Sequence, residues 1–283
     1  MSIDSTWLRC PNCFRDLDPI DARTLGCTEG HRFDVAKNGA VTLLPPRAPR
    51  TIGDSREMLE ARHDLLASGI YRPIAAAIID ASRSRVAASV AVRVADLGCG
   101  TGYYAAQLAE ELPNAAFLLA DRSATAVRMA MRGVPASTGV ILDLWRPLPV
   151  RDATADVAVN VFAPRNAAEF ARILRPDGAL IVVVPTGDHL RELRTTGGML
   201  DIPRDKDAHV TGRLLPAGFE LERSERVEYV ADVDVAQRAA LVDMGPSAHH
   251  AHADRHGTDL AAVTVSVDVL LFRLGATVLP QSA

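Results

Sequence analysis

The chain predicts an α/β fold: a doubly wound, mostly parallel sheet between helices, with a small metal-stapled module in front. Three observations carry this. From Val90 onward, apolar strand-like runs alternate with helical patterns. The first run ends in an acid and a glycine turn, Val94-Ala95-Asp96-Leu97-Gly98-Cys99-Gly100-Thr101-Gly102-Tyr103, before a helical stretch from Tyr104 to Leu112. Three of the four cysteines fall before residue 30.

Composition bounds the partners. With 283 residues, 48% of them hydrophobic, the chain can bury an ordinary core. Its net charge of −4 excludes a global basic field, so a polyanion would have to meet a local patch. Lys37 and Lys206 are the only lysines; arginine forks suit phosphate and base edges, although a GC-rich genome produces the same bias. No apolar run approaches the roughly 20 residues that span a bilayer. Met1 to Arg9 has no signal-peptide core, so a cytoplasmic protein without membrane contact is expected, with reduced cysteines.

In chain order, Cys10-Pro11-Asn12-Cys13 is followed by Cys27 and His31. Two pairs of soft ligands on short turns suit tetrahedral zinc. A full set of four leaves no open position, so the zinc is expected to be structural and to supply folding energy. Val41 to Leu44 reads as a closing strand, giving a zinc-binding domain over 1–46. Pro45 to Arg50 is a stiff basic linker. Ser55 caps a helix over Met58 to Leu66, and a second helix follows Pro73 to about Ser84, so 47–89 is linker and connector.

Residues 90–283 form the main domain. Five parallel strands are expected at Val92–Leu97, Phe117–Asp121, Val140–Leu142, Asp156–Phe162 and Ala179–Pro185. Phe219–Val230 and Val263–Arg273 alternate and read as an antiparallel pair. This is the Rossmann-like, seven-stranded arrangement of class I methyltransferases dependent on S-adenosylmethionine (SAM). The G-x-G-x-G spacing at Gly98, Gly100 and Gly102 fits SAM better than a dinucleotide, because the methionine part has no pyrophosphate to cradle.

Acids stand at strand ends. Asp121, about 20 residues past the glycine loop, can accept both ribose hydroxyls. Asp143 would sit beside the adenine. Asp96 is placed to hold the loop or to meet the methionine ammonium. Ordinary strand-end caps look the same one at a time; three at consistent positions favour a cofactor site. After the fourth strand come Asn160-Val161-Phe162-Ala163-Pro164-Arg165-Asn166, at the switch point of the sheet. Asn160 can bond an acceptor base or hold a water, and Phe162 can stack on a base or pack in the core. His189, just past the fifth strand, can bind substrate, contact cofactor or act as a base. His249, His250, His252 and His256 form a cluster with no fixed geometry.

The residues also spell out a family. The zinc pattern, Gly53-Asp54-Ser55-Arg56-Glu57-Met58-Leu59-Glu60-Ala61-Arg62, Ser68-Gly69-Ile70-Tyr71-Arg72-Pro73 and the glycine loop together resemble the RlmA/TlrB family of 23S rRNA (guanine-N1)-methyltransferases. The run Asn160 to Asn166 and Met244-Gly245-Pro246-Ser247 look like its Gram-positive, tylosin-resistance branch. The resemblance spans Leu8 to about Phe272. It implies methyl transfer to N1 of a guanine in the hairpin-35 region, where macrolides bind, with the zinc domain gripping the RNA. It also implies Cys10, Cys13, Cys27 and His31 as zinc ligands. Tyr71, the glycine loop with Thr101, Gly102 and Tyr103, and His189 become cofactor contacts. Two departures are visible: Asp177 in the turn Arg175-Pro176-Asp177-Gly178, and the histidine cluster.

Guanine N1 carries a proton that must leave, so a base is expected, with His189, the histidine cluster or a water on Asn160 as candidates. Residues 1–50 carry seven basic and six acidic side chains, a net charge of only +1. RNA grip would then come from arrangement or from the shared cleft of a homodimer. The competing readings are a small-molecule methyltransferase of secondary metabolism and a non-catalytic RNA-binding factor.

Overall fold

A computed structural model of the protein describes residues 3–45, 55–85, 92–195, 206–243 and 262–275. Arg47, Arg50, Gly53, Asp54, the Met244–Ser247 run and the histidine cluster lie outside the described residues.

The N-terminal module is a three-stranded antiparallel sheet of β1 (Asp18–Asp21), β2 (Thr24–Gly26) and β3 (Arg32–Asp34). The next strand, β4 (Val41–Thr42), closes back on it through an antiparallel bridge from Val41 to Val35. Two connector helices follow, α1 (Arg56–Ala67) and α2 (Arg72–Arg83), bent by 80°. Ser55 caps α1 by accepting from the Met58 amide at 3.2 Å. Pro73 lies in the first turn of α2, where a missing N–H costs nothing.

The main domain runs β5 (Arg93–Leu97), α3 (Tyr103–Glu111), β6 (Ala116–Asp121), α4 (Ala124–Gly133), β7 (Thr138–Ile141), β8 (Ala155–Val161), α5 (Ala167–Ile173), β9 (Leu174–Pro185), α6 (Arg191–Thr195), α7 (Lys206–Leu214), β10 (Phe219–Asp232), α8 (Val235–Asp243) and β11 (Ala262–Leu274). The sheet order is β10-β11-β9-β8-β5-β6-β7-β4. All seven expected strands are present; β11 is antiparallel to β9 and to β10, and the others are parallel. The eighth is β4. Besides closing the small module, it pairs parallel with β7, Val41 opposite Val140 and Thr42 opposite Ile141. Strand β9 begins earlier than its apolar run because Leu174 pairs with Ala155; the register shifts before Val157 pairs with Ala179, and within that irregularity Asp177 takes left-handed backbone (φ 62°).

The sheet is buried on both faces, which is why its strands read as continuous apolar runs. Val94, Val159, Ile181 and Val183 face one core with α2 and α3. Ala95, Leu97, Leu180 and Val182 face the other. The small module belongs to this second core: Trp7, Leu8, Leu17, Leu25, Val41 and Leu43 pack with Leu118, Val140, Leu142 and Val150. Fully burying each large apolar side chain contributes about 1.5–3 kcal/mol, more than a surface ion pair. Packing therefore fixes the module to the main domain.

Polar bonds set its register on that core. Leu8 bridges Val150, the Arg9 amide donates to the Pro149 carbonyl (3.1 Å), and the Arg151 amide donates to the Trp7 carbonyl (2.8 Å). The Arg151 guanidinium donates to the carbonyls of Leu8 (2.8 Å) and Leu17 (2.7 Å) and pairs with Asp16 and Asp18. We expect Arg151→Ala to cost about 2 kcal/mol, because two carbonyls lose a charged donor, and to speed amide exchange around Leu8 to Leu17. Unchanged stability and exchange would show that the module is held without this clamp.

Candidate methyl-donor cleft and metal centre

The turn after β5 hangs from the end of β6. The amides of Gly98 and Cys99 both donate to the Ala120 carbonyl (2.8 and 3.0 Å), and the Gly102 amide donates to the Cys99 carbonyl (2.8 Å). Gly98, Gly100 and Gly102 take φ of 92°, 50° and 82°, which favour glycine. Their reasons differ. A Cβ at Gly98 would stand 2.4 Å from the Ala163 Cβ, and one at Gly102 would stand 2.5 Å from the Ala130 Cα in α4. Those two glycines let protein segments pack closely. Only Gly100 faces open space, its nearest neighbour being the Arg62 guanidinium at 3.8 Å. The expectation that all three keep room for the cofactor thus narrows to Gly100.

The strand-end acids sit together around this turn. Asp121 accepts from the Gly100 amide (3.0 Å) and from the Ser123 amide (2.8 Å), so it braces the loop. Asp143 is buried, accepts from the Trp145 amide (3.0 Å) and pairs with Arg122. Asp96 is 4% exposed, and its carboxylate accepts no hydrogen bond among the described residues. Burial, then the neighbouring Asp121, pushes its pKa up to about 7. The Thr101 hydroxyl is likewise buried without a partner. An open glycine, an unpartnered acid and an orphaned hydroxyl fit the amino-acid end of SAM. Arg62, across the cleft on α1, adds a cation that the sequence reading missed; nothing in its local pattern sets it apart from other helix-surface arginines.

Three rings form the other wall. Tyr71, at the junction of the connector helices, lies 6.1 Å from the His189 ring and 6.4 Å from Phe162, and His189 stacks on Phe162 at 5.9 Å. Phe162 is 41% exposed and held at φ 52°, an unusual conformation for a bulky residue. His189 is 7% exposed. Its Nδ1 accepts from the Ser266 amide (3.3 Å), which leaves the hydrogen on Nε2, facing the Tyr71 hydroxyl at 3.4 Å. Burial, then Arg194 and Lys206, lowers its pKa to about 4. His189 is therefore a neutral donor at pH 7 with its lone pair engaged, which opposes the expected role as a base. Asn160 is fully buried and donates to the carbonyls of Leu97 (2.8 Å) and Pro164 (3.0 Å). It ties the loop after β8 to the glycine turn, and only its Oδ1 lacks a partner. Tyr103 opens α3 and is half-buried.

At the far end of the chain's first module, the ligand atoms of Cys10, Cys13, Cys27 and His31 all lie within 4.8 Å of one another. Cys13 and Cys27 sulfurs are 3.6 Å apart, and His31 Nδ1 is 3.6 Å from Cys10 Sγ and 3.4 Å from Cys27 Sγ. Two thiolates on one tetrahedral zinc stand about 3.7 Å apart. The free thiols fit that ion and not a disulfide.

Known proteins match both parts of the chain. Residues 8–50 match the family model described as RlmA, N-terminal, a zinc ribbon, and residues 94–178 match the methyltransferase domain model. A 23S rRNA (guanine(748)-N(1))-methyltransferase of Streptomyces fradiae is 40% identical over 94% of this chain and 96% of its own. A Micromonospora griseorubida protein with the same family name is 42% identical over 93% of each chain. A trans-aconitate 2-methyltransferase of Azoarcus is 36% identical, but over only 36% of this chain and 42% of its own. Among solved structures, a chain of the Haloferax volcanii Trm112 activator–methyltransferase complex shares the fold, with TM-score 0.51, 16% identity, and coverage of 80% of this chain and 100% of that one.

Two outcomes are expected. Asparagine tolerates left-handed backbone, so Gly100→Asn should fold yet lose SAM affinity, while Gly102→Asn should clash with α4 and cost about 3 kcal/mol or more. Calorimetric titration and thermal unfolding separate them, and normal SAM binding by Gly100→Asn would contradict the assignment. For His189, the unfolded ring titrates near 6.5 and the folded ring near 4. Between these values the unfolded chain holds the extra proton. The contribution is full above pH 6.5 and lost as pH falls toward 4, by about 3 kcal/mol. His189→Asn should flatten that part of a Tm–pH curve; a parallel curve would contradict it.

Proposed function

The chain belongs to the RlmA/TlrB family of 23S rRNA (guanine-N1)-methyltransferases, and from that membership we propose that it methylates N1 of a guanine in the hairpin-35 region of 23S rRNA. One observation carries the reading. Similarity to an enzyme with that activity runs through both the zinc ribbon and the methyltransferase domain, over 94% of the chain. The small-molecule methyltransferase of Azoarcus shares only a third of it, so tailoring of a secondary metabolite leaves the zinc ribbon without a purpose.

Bound SAM supplies a sulfonium methyl for in-line displacement. The chain's own residues orient and exclude. Gly100 leaves backbone bare for the cofactor, Asp96 and Arg62 offer opposite charges to its amino and carboxylate ends, and Asp121 and Asp143 stand along the nucleoside side. For Asp96 to face an ammonium it must ionise, and binding would draw its pKa down from about 7. Guanine N1 lies on the Watson–Crick edge, so the nucleotide enters unpaired or flipped; N1 takes the methyl as the C–S bond breaks to leave a neutral thioether, and the N1 proton leaves to water. The exposed Phe162 ring, backed by His189 and Tyr71, gives it a stacking surface. His189 acts here as a neutral donor that holds Tyr71. The zinc ribbon adds a rigid second surface for the RNA backbone.

We extend the reading to a cytoplasmic, RNA-binding enzyme that confers tylosin-type resistance, and to a homodimer whose shared cleft enlarges the grip on RNA. Ribosomal RNA from cells with and without the protein should differ by one primer-extension stop at a hairpin-35 guanine. Purified enzyme should transfer labelled methyl to that RNA. Label entering only small molecules would refute the proposal.

A further inference from the structure

Many arginines of the fold are neutralised by a carboxylate, as Arg151, Arg172, Arg226 and Arg273 are. Arg165, Lys206 and Arg213 are set apart by lying within electrostatic reach of one another. Among the described residues none of the three has a carboxylate at salt-bridge distance; Arg213 acts on Arg165, and Arg165 on Lys206. Arg165 follows β8 in the loop that carries Phe162, and its guanidinium donates to the Ala163 carbonyl at 3.1 Å. Ala163 is the residue packed on Gly98. Lys206 opens α7, which Val210 and Leu214 fasten to the core, and its charge acts on both Arg165 and His189. Arg213 lies on the last turn of the same helix. The three cations therefore lie on the side of the cleft formed by the Phe162 loop and His189.

We propose that Arg165, Lys206 and Arg213 form a phosphate-holding site that grips the RNA backbone beside the target guanine. The proposal rests on the rRNA reading above. Half-burying like charges together costs the free protein stability, and Arg165 and Lys206 are both half-buried. A chain of net charge −4 has no general need of such a cluster. A phosphodiester supplies the missing anion, and an arginine fork meets two of its oxygens at once. The one other anion expected nearby is the cofactor carboxylate, and Arg62 already faces Gly100 at that end. A grip here also offsets the unstacking of the base, because the backbone is held while the base turns into the cleft.

The test uses the full chain and a hairpin-35 transcript, with binding measured by fluorescence anisotropy across a salt series. The variants are Arg165→Gln, Lys206→Gln and Arg213→Gln, with Arg128→Gln, an exposed arginine on α4, as control. Each cluster variant should weaken RNA binding about tenfold and lower the slope of log Kd against log salt by about one. SAM affinity, which also reports folding, should stay at the control value. Lys206→Gln and Arg213→Gln keep the test valid if Arg165→Gln misfolds. RNA affinity and slope equal to the control overturn the phosphate site alone. Loss of SAM affinity with RNA binding intact overturns it in favour of a cofactor-carboxylate site. Wild-type protein that shows no salt-dependent RNA binding overturns the rRNA reading itself, and this site with it.

Discussion

One carbonyl oxygen organises the cleft. Ala120, next to last in β6, accepts from two successive amides, Gly98 and Cys99, and Asp121 beside it takes a third, from Gly100. Backbone polar groups at a buried turn must be paired, and here the neighbouring strand pairs them. The turn is therefore not a free loop that closes on a ligand; it is preset by strand pairing. Asn160 extends the same logic by bonding the last carbonyl of β5 and the loop after β8. Disturbing any of these bonds would shift the cofactor wall and the substrate wall together.

The cleft also retains groups that the free protein would be more stable without. Asp96 is buried with no hydrogen bond to its carboxylate among the described residues, and Thr101 has a buried hydroxyl with nothing to bond. Phe162 sits at positive φ. Each costs of order 1–3 kcal/mol. The large double-sided core provides the stability that offsets them. Similar costs occur elsewhere, at the buried Trp7 Nε1 and the left-handed Phe14 for instance, but Asp96, Thr101 and Phe162 line one cleft, which suits a charged, hydrogen-bonding ligand.

Much of this was legible in the chain. The five parallel strands announced themselves because both sheet faces are buried, so their middles are apolar runs and their polar residues, such as Asp96, Asp121 and Asn160, stand toward the ends. The four zinc ligands were legible because short turns hold them in pairs. The glycine loop was found, but not the division of labour within it: a glycine packed on Ala130 and a glycine facing a ligand look alike as letters. Val41–Thr42 was read only as the closure of the small module, since two residues carry no sign of a second partner in the sheet. Arg62 and the Arg165–Lys206–Arg213 cluster come from separate helices and loops. Only folding brings such residues together, and no local pattern records it.

The dual pairing of β4 fixes how far apart the two sites stand. Because this strand belongs to the ribbon and to the main sheet at once, the ribbon has no hinge at that seam. The span between the metal centre and the methyl-transfer cleft is then a fixed ruler. If the proposed RNA substrate touches both ends, its stem would have to match that separation, so length would be selected by distance before any base is inspected.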